Sequence, residues 1–347
     1  MNCVRIGEKQ IGPGHAAYVV AEAGINHNGS RDTALRLVDV AAEAGCDAVK
    51  FQKREIRSLL SREAYEAPYL GRNSYGRNYG EHREKLELTP EDYSAIRDHA
   101  RSRGLHFLAS AWDSASASFV DSLGVPAHKI GSPDLTNLPL CAQIAAFDKP
   151  VLLSTGMSEL WELDAAVRVL RDRNSRLVLL HCVSIYPAPH ADLRLGCIPM
   201  LRERYDLPVG YSGHEPGWHA AIAAVALGAC VIEKHFTLDR SMKGGDHGFS
   251  LEPAELRAMV AQIRETEAAL VGQEKFLLAG EIPFRKKLGK SVTTRVRVPK
   301  GAVLTQDMLT CKSPATGLSP VLFHHLLGRR TKREIGPDTV IGKEDVA

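Results

Sequence analysis

The sequence predicts an α/β protein, a closed (β/α)8 barrel followed by a small β-rich domain. Two observations carry this expectation. From Tyr18 onward, short apolar runs alternate with longer segments of helical periodicity, the pattern of parallel strands joined by crossover helices. After Gly272 that rhythm stops, and short β-like runs alternate with Pro and Gly turns instead. Eight β/α units over about 250 residues suit a closed barrel. The rival, an open doubly wound sheet, would carry a glycine-rich phosphate loop after its first strand, and AEAGINHNG does not have the GxGxxG form.

The eight runs are, in order, YVVAEAG (18–24), AVKFQ (48–52), HFLASA (106–111), HKIGS (128–132), PVLLST (150–155), LVLLHCV (177–183), PVGYSG (208–213) and VIEKHFT (231–237). Each is followed by a helical segment; the last places Leu256, Met259, Val260, Ile263 and Leu270 on one face. The expected boundaries are a barrel over 1–272, a linker over 273–286 and a small domain over 287–347. That last domain is too short to promise an extensive core, so it is expected to dock on a barrel, its own or a partner's. The stretch from Lys53 to Leu88 exceeds a usual βα loop and carries NSYGRNYGEHREKLEL, suited to a lid or clamp with Arg77, His82 and Arg83 meeting substrate.

Composition narrows the function. Lys and Arg number 44 against 41 Asp and Glu, a net charge of +3, and no block of five basic residues occurs, which argues against a nucleic-acid partner. No apolar run of about 18 residues and no apolar signal core at the N-terminus are present, so neither export nor a membrane partner is expected. The seven cysteines lack CxxC spacing, and Cys46, Cys141, Cys182 and Cys230 fall in apolar segments as reduced core residues of a cytoplasmic protein.

A barrel builds its site at the C-terminal ends of its strands. The polar residues of the runs gather there: Glu22, Asn26 and His27; Lys50 and Gln52; Ser110 and Asp113; Lys129, Ser132 and Asp134; Ser154 and Thr155; His181 and Ser184; Ser212 and His214; Glu233 and His235. Alternation along a strand leaves His181 and Glu233 as residues that could point outward, between barrel and helices. His214 and His235 end neighbouring strands, where two imidazoles can share a divalent ion and leave coordination positions open. Lys234, Lys243, Asp246 and His247 surround them, with Gly244 and Gly245 admitting close backbone approach. Lys50 and Lys129 interrupt apolar strands, where an unpaired ammonium is costly, so an anionic ligand is expected beside them. With Ser132, Ser154 and Ser212 they make a site for phosphate plus carboxylate.

AEAGINHNG, AVKFQ, HKIGSPDLTNLP, LLSTGM, HCVSIYP, GYSGHEPG, AVALGACVIEKHFTLD and GKSV…VPKGAVLTQDML together resemble the sialic acid synthase family across nearly the whole chain. The resemblance implies that the small domain is a SAF domain, similar to type III antifreeze protein, in a domain-swapped homodimer where it covers the partner's site. It implies a transferase that condenses phosphoenolpyruvate with an aldose to give a 3-deoxy-2-keto acid and phosphate. It also implies a divalent metal cofactor, most often Mn2+, with Mg2+ or Co2+ as alternatives.

Carried over by residue, His214 and His235 match the metal ligands. Lys50, Lys129, Ser132, Ser154 and Ser212 match phosphoenolpyruvate contacts, with Ser184 where bacterial members often have asparagine. Glu22, Tyr186 and Asp246 match positions close to the sugar, and Asp134 stands where bacterial members often have glutamate. Glu22 and Asp134 are the expected proton-handling carboxylates. Asp134, Ser184, the GRNYGEHR loop and SAWD look like the animal branch, whose sugar is phosphorylated. Ser313, beside Lys312, stands where many bacterial members place an arginine for the N-acyl group. The sugar is therefore expected to be N-acetylmannosamine-like or its 6-phosphate. Two alternatives stand beside this: a related 3-deoxy-ulosonate synthase acting on another sugar, and a non-catalytic carbohydrate-binding protein.

Overall fold

All eight apolar runs form strands of one closed parallel barrel. The computed structural model describes residues 3–174, 176–272 and 274–347, in two units, Met1–Val271 and Gly272–Ala347. Residue 273, the first of the expected linker, lies outside the described residues. The first unit opens with a hairpin that the sequence did not announce, β1 (Val4–Ile6) antiparallel to β2 (Lys9–Ile11). The barrel follows as β3 (Tyr18–Gly24), β4 (Ala48–Lys53), β5 (His106–Ala111), β6 (His128–Ile130), β7 (Val151–Ser154), β8 (Leu177–Cys182), β9 (Val209–Gly213) and β10 (Val231–His235). Each strand pairs with the next, and β10 closes on β3 with Val231 opposite Tyr18.

Side-chain alternation sorts every strand into an outer and an inner row. The outer row, including Val19, Val49, Phe107, Leu153, Leu179 and Ile232, packs on the surrounding helices. The inner row divides along the barrel axis. Its lower half is apolar, with Val20, Ala48, Leu108, Leu152, Val178 and Val231 clustered on Val4, Ile6 and Ile11 of the hairpin, which plugs that end. Its upper half is charged and polar, and forms the site described below.

The helices start on local capping signals. Ser30 accepts from Thr33 N ahead of helix Arg31–Glu43, and Thr89 forms a capping box with Asp92 ahead of Pro90–Ser102. Asp113, expected among the site residues, caps helix Ser114–Ser122 and also accepts from Glu55 N at 2.8 Å. The long connection after β4 contains helices of its own, Ile56–Leu59, Arg62–Glu66 and Tyr79–Leu86, the last capped by Asn78. Among the described residues, no helix is long and apolar enough to cross a membrane, and the seven cysteines are free.

The second unit contains helix Ile282–Leu288 and the antiparallel pair β11 (Ser291–Thr294) and β12 (Leu309–Lys312). Its size suggested little interior, yet it has a core of Val292, Val298, Leu304, Leu309, Leu318, Leu326, Ile335 and Ile341. Isolated bridges such as Val298 to Ile335 and Thr331 to Val346 tie its turns together. Ahead of β11, Phe276, Leu278, Ile282, Phe284 and Leu288 are exposed.

Candidate active site

The upper inner row brings three charged residues into one buried cluster. Lys50 Nζ lies 2.7 Å from Glu22 Oε2 and 3.6 Å from Glu233 Oε1, and donates to Ser110 Oγ at 3.1 Å. Gln52 donates to Glu22 Oε1 at 2.8 Å, and Ser212 donates to Glu233 Oε1 at 3.0 Å. Two corrections follow. Glu233 faces the interior, because it shares the parity of Val231 and His235 along β10; that parity was the signal that would have found it. Lys50 is not an unpaired ammonium, since two carboxylates flank it.

Lys129 is a buried cation with no carboxylate in direct contact. Its Nζ donates to Ser154 Oγ at 2.7 Å and to Ile130 O at 3.0 Å, and no carboxylate pairs with it among the described residues. Burial depresses its ammonium below the ordinary lysine value, with Glu233 opposing the shift. Burial likewise raises Glu22 against the pull of Lys50. In Glu233 the ammoniums of Lys129 and Lys50 outweigh burial and hold the carboxyl low. Glu22 is therefore the more readily protonated of the two carboxylates.

Beside Lys129 the ends of β6, β7 and β8 form a small hydroxyl-lined cradle. Gly156 N donates to Ser132 Oγ at 3.0 Å, and Cys182 Sγ is 3.7 Å from Ser184 Oγ. A β-carbon on Gly156 would collide with Ser184 Oγ and lie 2.8 Å from Ser132 Oγ, so a side chain there would displace both hydroxyls from the cradle. Cys182, taken from the sequence as a core residue, lines this cavity together with Trp112, Ser154 and Ser212.

The histidines stand on the other side of the cavity, their ring centroids 5.3 Å apart. His214 Nδ1 donates to Val183 O at 3.0 Å, which leaves Nε2 as the nitrogen with a lone pair. His235 is buried, its Nδ1 lacks a hydrogen-bond partner, and burial depresses its pKa strongly, so the ring is neutral. Among the described residues, no group of three His, Cys, Asp or Glu is arranged to hold a metal. His214 differs from His235, since burial is outweighed by Cys182 and Val183 O, which hold its pKa above the ordinary histidine value. The Nε2 of His214 and the unpartnered Nδ1 of His235 fit an open two-ligand site, with Asp246 Oδ2 3.9 Å from His235. Tyr186 packs on His214 at 4.3 Å between centroids, and Phe249 on His235 at 5.2 Å.

Asp134 ends the turn Ser132–Asp134 that follows β6. Asn137 donates to its Oδ1 at 3.3 Å, its Oδ2 is buried without a partner, and burial pushes its pKa up to about 6. Arg83 donates to Tyr79 OH at 2.8 Å and 2.6 Å and has no ion-pair partner among the described residues. Its charge and that of Arg54 act against the burial that raises the Asp246 carboxyl. Arg77 is not gathered with these residues; its side chain is 91% exposed and pairs with Glu81 at 3.2 Å. Ser313 belongs to the second unit, where it accepts from Lys290 Nζ at 2.6 Å and donates to Leu288 O. Lys234, expected around the histidines, is buried on the opposite face of the wall; His181 also points outward, bonded to Leu193 O.

Comparison with known proteins decides the family. The profile of the NeuB family matches residues 37–275, and that of the SAF domain matches residues 289–347. The chain belongs to the NeuB family. It is 38% identical over 336 residues to the N-acetylneuraminate-9-phosphate synthase of Homo sapiens, covering 96% of this chain and 94% of the human protein. It is 37% identical over 327 residues to the N,N'-diacetyllegionaminic acid synthase of Campylobacter jejuni, covering 93% of this chain and 98% of that one. Among solved structures, the N-acetylneuraminic acid synthetase of Leptospira borgpetersenii, in complex with citrate, superposes with a TM-score of 0.72 at 31% identity, covering 82% of this chain and 96% of that one. Membership of the NeuB family makes the chain a synthase-type transferase with a barrel and a SAF domain.

Proposed function

We propose that this NeuB-family chain condenses phosphoenolpyruvate with an open-chain N-acylated amino aldose, releasing a nonulosonate and inorganic phosphate. The observation that carries the reading is Lys129, a buried ammonium with only hydroxyl and carbonyl partners, facing a serine cradle. An anion brought there supplies the contact countercharge that Glu233, acting from beyond ion-pair distance, does not. Lys129, Ser154, Ser132, Ser184 and Ser212 hold the phosphate and carboxylate, and Lys50 completes the charge balance. His214 and His235 would hold a divalent ion, with Mn2+ expected and Mg2+ or Co2+ as alternatives, whose chemistry is Lewis-acid polarisation of the sugar aldehyde.

In the reaction, C3 of the enol forms the new bond to the aldehyde carbon, whose oxygen takes up a proton as the hydroxyl. Water adds at C2 and gives up one proton; the C–O bond to phosphate then breaks as the remaining hydroxyl proton passes to the departing phosphate and the C2 ketone forms. Glu22 and Asp134 are the carboxylates we assign to exchange these protons, on the grounds that burial raises both. Tyr186 and Asp246 border the sugar, and Arg83 supplies a cation for a phosphate at its far end. Ser313, in place of an arginine, also favours the 6-phosphorylated form. The exposed apolar stretch Phe276, Ile282, Phe284 and Leu288 supports a homodimer in which a second copy covers it.

The test is phosphate release from phosphoenolpyruvate across a panel of N-acetylmannosamine 6-phosphate, the free amino sugar, arabinose 5-phosphate and erythrose 4-phosphate. Release should be fastest with the phosphorylated amino sugar. Release with none, or only with the pentose or tetrose phosphate, would overturn the reading.

A pH profile tests Asp134 separately. Its carboxyl, raised to about 6, is charged above that value and protonated below it. A base there loses function as pH falls, so kcat/KM should drop about tenfold per unit below about pH 6. Asp134→Asn should lower kcat by about 10²-fold or more and remove this acid limb. An unchanged limb in Asp134→Asn would assign the titration to another group.

A further inference from the structure

Behind the two histidines, on the outer face of the barrel wall, lies a buried ion pair made by their immediate neighbours in sequence. Lys234 precedes His235 and Glu215 follows His214. Lys234 Nζ is 2.8 Å from Glu215 Oε1 and also donates to Glu215 O, while Tyr211 OH donates to Glu215 Oε2 at 2.7 Å. Both charged residues are 0% exposed. Gly213 makes room for the arrangement, since a β-carbon there would lie 2.6 Å from Glu215 Oε2 and 2.7 Å from the Tyr211 ring.

The pair is poorly explained as a stability device. Full desolvation of two ions offsets most of their attraction, and well-packed apolar residues of similar volume commonly serve as well or better. Its position is informative. The ladder between β9 and β10 ends at Gly213 opposite Lys234, so His214 and Glu215 extend past the last registered pair. Ala188 N donates to His214 O at 3.1 Å, and Val183 O receives Nδ1, but both tie His214 toward the preceding strand's loop. Across to the His235 strand run the Ser212 to Glu233 hydrogen bond inside the barrel and, past the end of the ladder, the Glu215 to Lys234 pair, while Phe249 packs on both rings. We infer that Glu215 and Lys234, braced by Tyr211, form the positioning element that sets the separation and orientation of His214 and His235. This rests on the reading of those histidines as metal ligands.

The test uses the full-length protein and Mn2+ alone. The double variant Glu215→Leu/Lys234→Met removes both charges at similar volume and strands neither. The readouts are the thermal midpoint of chelator-treated protein and the Mn2+ dissociation constant, followed by the electron paramagnetic resonance of free Mn2+. The expected result is a midpoint at or above wild type with Mn2+ affinity weakened about 10- to 100-fold, the range for partners that orient a ligand. A purely structural pair would give the reverse, a lowered midpoint with unchanged affinity, and would overturn the inference. Tyr211→Phe, which keeps the pair and removes one brace, covers failure of the double variant to fold; affinity weakened about threefold or more is expected, and an unchanged constant overturns the proposal. A wild-type protein that binds no Mn2+ would instead overturn the metal reading itself.

Discussion

Lys129→Met raises the KM for phosphoenolpyruvate about ten- to a hundredfold and leaves that for the aldose nearly unchanged. The expected size follows from losing one charge-assisted contact worth about 1.5–3 kcal/mol. Methionine keeps the volume, and although the Lys129 ammonium acts on Glu233, that carboxylate keeps Lys50 at 3.6 Å and the Ser212 hydroxyl, so it is not left alone. Lys50 would be a poorer probe, since its loss leaves Glu22 and Glu233 facing each other in the same buried cluster. Steady-state kinetics with each substrate varied in turn gives the answer. Equal changes in both constants, or none, would remove Lys129 from the anion site.

His235→Ala, and chelation of the wild type, each lower turnover by about a thousandfold or more, the several kcal/mol that Lewis-acid assistance supplies. Circular dichroism should be unchanged in both cases, because the apolar lower layer and the outer row of the barrel do not depend on the histidines. Adding Mn2+ should restore the chelated wild type and leave His235→Ala inactive. Full activity in rigorously metal-free protein, or in His235→Ala, would refute the assignment.

The barrel was legible in the sequence for a physical reason. Strands of a parallel barrel are buried on both faces, so they read as nearly continuous apolar runs, and the polar residues that interrupt those runs mark the active end. Glu22, Lys50, Lys129, Ser132, Ser154, Ser212, His214 and His235 stood out on that basis, and the structure gathers them around one cavity. What escaped depends on pairing across space or on elements too short to show a period. The hairpin strands Val4–Ile6 and Lys9–Ile11 span three residues each. The partnership of Lys50 with Glu233 joins strands far apart in the chain, and the contrast with Lys129 exists only after folding. The core of the second unit was hidden because its apolar residues are spread singly over turns.

The hairpin that plugs the lower barrel makes the interior a vessel with one neck. Among the described residues, Val4, Ile6 and Ile11 close the end away from Glu22 and Glu233 with apolar packing, which leaves the rim as the open side. Traffic of hydrogen isotopes between those carboxylates and bulk solvent is therefore expected to pass the rim, and to slow when any molecule occupies it.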